Sequence, residues 1–199
     1  MELQRAISDL AEVRDRLAAL QRFDGYSGLA AAASGIVAFV AAFLQMRIAP
    51  MPVTAAGVQA YLAIWLSCLA VALALNYGAV AGWLLKHRAP GARSRFRTAA
   101  LSIVPSIVLG GALTFALVGH SAYGLLPGTW FAFYAIGLFA SRGAIPAPTF
   151  GVTVGFALLA LVFLVTPLDA LALAWWVMPI GFGAGQLAIG YLIWLDRAS

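Results

Sequence analysis

The chain has 199 residues, of which 63% are hydrophobic and 10% charged; soluble domains average about 45–50% and about 25%. A water-soluble fold of this length leaves too much surface wet to hide that apolar area, so the composition points to a bilayer, where lipid solvates the apolar faces. The net charge of +5 does not indicate nucleic acid, because the basic residues flank apolar runs, and the single cysteine, Cys68, excludes an intramolecular disulfide and a thiolate metal cluster.

In chain order, residues 3–22 read as an amphipathic helix. Leu3, Ile7, Leu10, Val13, Leu17 and Leu20 recur at three- and four-residue spacing and share one stripe. Arg5–Asp9 and Glu12–Arg16 can pair one turn apart. Phe23-Asp24-Gly25-Tyr26 breaks the helix, so residues 1–27 form a cytoplasmic or interfacial segment. The segment is mostly polar or charged, and no cleavable signal peptide is expected in it. Residues 28–199 read as a transmembrane domain of six helices, at about 28–46, 58–84, 97–118, 126–141, 148–166 and 169–195. The expected fold is therefore all-α, a six-helix transmembrane bundle preceded by an amphipathic helix. Helices are required because lipid offers a bare backbone group no partner. Pro50 and Pro52, Pro90 and Gly91, and Pro146 and Pro148 punctuate the short linkers, and Pro167 closes the fifth run.

Six spans place eleven of the twelve Lys and Arg residues on one side: Arg5, Arg14, Arg16, Arg22, Lys86, Arg88, Arg93, Arg95, Arg97, Arg142 and Arg197, against Arg47 alone. Basic residues accumulate in the cytoplasm, so both termini are expected there. Tyr26, Trp83 and Trp194 then mark the inner interface, and Tyr61, Trp130, Trp175 and Trp176 the outer one.

No Asp, Glu, Lys or Arg sits mid-span, which argues against proton relays and voltage sensing. His87 and His120 fall on opposite faces and cannot share a haem iron. Hydrolase motifs are missing, Asp24, Asp169 and Asp196 lie at span edges, and the chain calls for no cofactor or metal. Gly78/Gly82, Gly151/Gly155 and Gly181/Gly185 permit close helix contact.

One polar pattern stands out. Ser34, Asn76, Ser106, Tyr134 and Gln186 lie eight to ten residues from the cytoplasmic edges of their spans, roughly 12–15 Å deep at about 1.5 Å per residue. They are candidates either for interhelical hydrogen bonding or for a polar ligand-binding pocket, with Gly181 to Gln186 after Pro179 as a place where a kinked helix opens its carbonyls.

Phe23-Asp24-Gly25-Tyr26, Leu126-Pro127-Gly128-Thr129-Trp130 and Gly183-Ala184-Gly185-Gln186-Leu187 give the chain a resemblance to an uncharacterised family of small bacterial six-span membrane proteins. The resemblance implies a bacterial inner membrane and transfers no activity. Two functions remain open. The first is a non-enzymatic membrane subunit that meets a protein partner or a second copy. Four basic and four acidic residues on the N-terminal helix fit a protein better than anionic lipid. The alternative is a small-molecule-binding protein or passive transporter built on the polar level.

Overall fold

The computed structural model describes residues 25–86, 92–166 and 169–198; the amphipathic helix expected over 3–22 lies outside them. Every regular element among these residues is helical. We number the α-helices α1 (Gly28–Ile48), α2 (Ala55–Lys86), α3 (Ala92–Gly119), α4 (Leu126–Ala140), α5 (Phe150–Val165) and α6 (Ala184–Ala198). A π-helical turn, Pro179–Gly183, leads directly into α6.

Capping residues and prolines set the helix limits. The Ser27 hydroxyl accepts the Ala30 N–H at 3.2 Å and starts α1. Thr54 does the same for α2, accepting the Gly57 N–H at 3.1 Å. Pro127 and Pro148 stand in first turns, where a missing N–H costs nothing. Four stretches are long and apolar enough to cross a membrane: Gly28–Ile48, Ala55–Lys86, Tyr123–Ala140 and Ala147–Val165. The 32 residues of α2 rise about 48 Å and so exceed a ~30 Å hydrocarbon core. A shorter apolar helix runs over Ile103–Gly119.

The sixth apolar run does not form one helix from 169. Asp169–Leu173 is a short 3₁₀ turn, the chain turns again at Trp175 and Trp176, and the helix begins at 177. Pro179 lacks the N–H that a helix running through it would need, and it is accommodated here near a helix start. The connecting residues Ala172, Leu173, Ala174, Val177 and Met178 are buried in the main core.

Helix α1 packs on α2 along one side and on α6 and the π turn along another, while α4 packs between α3 and α5. At the α1–α6 crossing the backbones nearly touch. A Cβ on Gly28 would lie 2.7 Å from the Gly190 carbonyl oxygen, and one on Gly190 would lie 2.7 Å from that of Gly28. Deeper in, Phe131 meets Phe156, Phe163 and Phe182 at centroid separations of 6.0, 5.9 and 5.4 Å. Gly181 and Gly185 make room for these rings, since added Cβ atoms would stand 2.3 Å from Phe131 and 2.5 Å from Phe156. That glycine pair is spent on internal packing. Gly78/Gly82 and Gly151/Gly155 face open space, with nothing within 4 Å.

Candidate functional site: polar groups between the helices

The polar level resolves into two pairs and a separate serine. Asn76 of α2 donates from Nδ2 to the Ser34 hydroxyl of α1 at 2.8 Å and to its own Ala72 carbonyl at 2.9 Å. Ser34 in turn donates to the Ala30 carbonyl at 2.9 Å. Gln186 of α6 donates from Nε2 to the Tyr134 hydroxyl of α4 at 2.5 Å. Ser106 is buried where α3 crosses Gly137 of α4, whose added Cβ would lie 3.6 Å from the Ser106 side chain. Among the described residues no hydrogen bond joins Ser106 to either pair. Ser34 and the next residue, Gly35, link the two flanks of α1. Ser34 holds Asn76, and a Cβ on Gly35 would lie 2.9 Å from the Gly183 carbonyl oxygen and the Leu187 side chain.

A second polar cluster lies at the other end of α1, and the sequence reading missed it. Gln45 is fully buried. Its Nε2 donates to the Leu173 carbonyl at 2.7 Å, and its Oε1 accepts the Trp65 indole N–H at 2.7 Å. One carboxamide thus joins α1, α2 and the turn before α6. The Trp175 N–H adds a bond to the Pro50 carbonyl at 3.0 Å. Nearby, the Trp130 indole donates to the Thr114 hydroxyl at 2.8 Å, and Tyr61 stacks on Trp130 at 5.8 Å. Gln45 is the one carboxamide inside the first apolar run, and it stands at the end of that run, eleven residues beyond Ser34.

The comparisons add no relative. No family model, curated protein or solved structure matches the chain. The chemistry therefore rests on these groups. Tyr61, expected as an interface aromatic, is fully buried against Trp130 and Trp65. Apolar packing from α4 covers it, and its hydroxyl has no hydrogen-bond partner among the described residues. Trp175 and Trp176 are exposed, and Trp194 is exposed on α6. The Arg47 guanidinium lies 5.1 Å over the Phe43 ring, and Arg142 lies 4.7 Å over Phe139. Arg197 donates to the Tyr26 carbonyl, tying the end of α6 to the start of α1. Burial, with Tyr77 nearby, pushes the Tyr26 phenol up to about 12. His120 is exposed, its Nδ1 2.8 Å from the Ala116 carbonyl oxygen; His87 lies outside the described residues. Among the described residues no three His, Cys, Asp or Glu side chains are grouped to hold a metal.

Proposed function

We propose that the protein is a multi-pass protein of the bacterial cytoplasmic membrane, with six spans and both termini inside. It works as a non-enzymatic subunit that meets a protein partner or a second copy. The observation that carries this reading is the use made of the carboxamides between the helices. Gln45, Asn76 and Gln186 each tie one helix to another, which serves a scaffold that presents its outer surface. The eleven-to-one partition of basic residues supports the orientation.

The surface best placed for a partner is the cytoplasmic half of α2. This helix has its broad contact with α1 alone, and Gly78 and Gly82 offer open backbone there. Two experiments test the reading. Reporter fusions at Ser199 and Pro52 should be active on opposite sides of the membrane; activity of the Ser199 fusion outside would overturn the topology. Photo-crosslinking residues placed in α2 should give a protein adduct of one defined mass from Gly78 and Gly82. They should give none from Val80, which is buried within the bundle. Adducts to lipid alone at all three positions would overturn the subunit reading.

A further inference from the structure

A carboxamide carries two N–H donors and an oxygen that accepts. Asn76 spends both donors, on Ser34 and Ala72, and its Oδ1 accepts nothing from the described residues. Gln186 spends one arm on Tyr134; whichever way the amide is turned, the other arm has no partner among the described residues. Among the described residues, Tyr61 Oη is the one sealed side-chain atom that lacks a partner. The leftover arms of Asn76 and Gln186 are therefore accessible, and both side chains are half-buried. Hydrocarbon cannot satisfy such a group. Something that carries a hydrogen-bonding group must meet them.

The surroundings narrow its chemistry. The two carboxamides flank α1 at one level, joined through Ser34 and Gly35. Toward the cytoplasmic edge, Tyr26 and Tyr134 pack on the same buried group of Ala31, Ile189 and Ile193. Tyr26 lies within electrostatic reach of both Tyr77 and Tyr134. The helices at this level carry hydroxyls and amides but no charge; the ionised groups of α1, α2 and α6 stand at helix ends, at Arg47, Lys86, Asp196 and Arg197. A charged ligand would find no counter-ion, whereas a neutral one keeps its hydrogen bonds. Leu75 and Leu187, next in sequence to the carboxamides, are exposed aliphatics on which an apolar chain can lie.

We propose that the polar level around α1 binds neutral, hydroxyl-bearing amphiphiles taken up from the membrane. A hydroxyl meets the leftover arm of Asn76 on one flank of α1 or that of Gln186 on the other, and the chain lies along the aliphatic side chain beside it. The inference rests on the membrane-spanning reading above, which co-flotation of the protein with vesicles tests separately. The site itself is tested in phosphatidylcholine vesicles holding the full chain. A photoactivatable long-chain alcohol is compared with its methyl ether, which keeps the shape and loses the donor. The alcohol should label residues 72–80 and 183–190 about fivefold more than the ether, the worth of about one net hydrogen bond. Asn76→Leu and Gln186→Leu should each remove that preference at their own segment. Equal labelling by alcohol and ether in the unsubstituted protein would overturn the proposal, a comparison that depends on no variant folding. A preference unchanged in both variants would overturn it as well.

Discussion

Replacing Gln45 by leucine removes one side chain and strands two groups that remain. The Trp65 indole N–H and the Leu173 carbonyl both meet Gln45 at 2.7 Å, and Trp65 and Leu173 are buried in the bundle. A buried group left without its partner costs about 1–3 kcal/mol, so the two together cost about 2–6 kcal/mol. Leucine returns about 1–2 kcal/mol through apolar burial in place of an amide. The net expectation is a loss centred near about 2.5 kcal/mol, within a span of about 0–5 kcal/mol, and its centre lies well above the ~0.6 kcal/mol typical of a single hydrogen bond between membrane helices. The difference arises because one carboxamide satisfies two groups that the fold keeps away from any other partner. Unfolding in mixed detergent micelles at fixed composition measures it. A second variant isolates the cause, because Gln45→Leu in a Trp65→Phe background strands only the carbonyl. The two substitutions together should cost less than the sum of each alone by at least about 1 kcal/mol. A Gln45→Leu protein within about 0.5 kcal/mol of its parent would refute the argument.

Tyr61→Phe should be neutral or stabilising by up to about 1 kcal/mol, since it deletes a sealed hydroxyl without a partner and keeps the ring stacked on Trp130; the same unfolding assay reads it. Gly190→Val should destabilise by about 1–3 kcal/mol, because its Cβ would meet backbone of α1 at 2.7 and 2.9 Å. Gly82→Ala, which meets nothing within 4 Å, should instead gain about 0.5–1 kcal/mol from helix propensity. Tyr26 gives a pH test. Its folded-state phenol is raised from 10.0 to about 12, so between those values the folded chain holds a proton that the unfolded chain has lost. Its contribution is therefore fully present below pH 10 and declines toward pH 12, by at most about 1.4 kcal/mol per pH unit. The alkaline fall in stability of the parent should be steeper than that of Tyr26→Phe.

The sequence and the structure agree where one dimension suffices. Apolar run length locates α1, α2, α4 and α5 to within a few residues, because hydropathy and proline act locally. Counting from the span edges sets Ser34, Asn76, Ser106, Tyr134 and Gln186 at one level, and the structure pairs Ser34 with Asn76 and Tyr134 with Gln186. Depth says nothing about azimuth, however, and a helix turns its side chains through every direction in under four residues. Five residues at one height therefore need not face one another, and Ser106 faces Gly137 instead. The same limit hid the burial of Tyr61, whose ring packs on a helix about seventy positions later in the chain. The late start of the last helix depends on Gln45 and Pro50 holding Leu173 and Trp175. Such contacts between distant parts of the chain leave no mark in local composition.

The contact between Gly28 and Gly190 sets an order of events during synthesis. The helix that packs between α2 and α6 is the first of the six to leave the ribosome, and the helix that closes against its glycine face is the last. Through the making of the 135 residues between Ile48 and Ala184, α1 has only α2 and the intervening helices as company. Its seat for Gly183, Leu187 and Gly190 meanwhile stays open to lipid or to a chaperone. Assembly is thus gated by completion of the chain: a nascent chain stalled before Pro179 has the α1–α2 hairpin but no closing helix. Membrane quality control could recognise such a product by that uncovered seam alone.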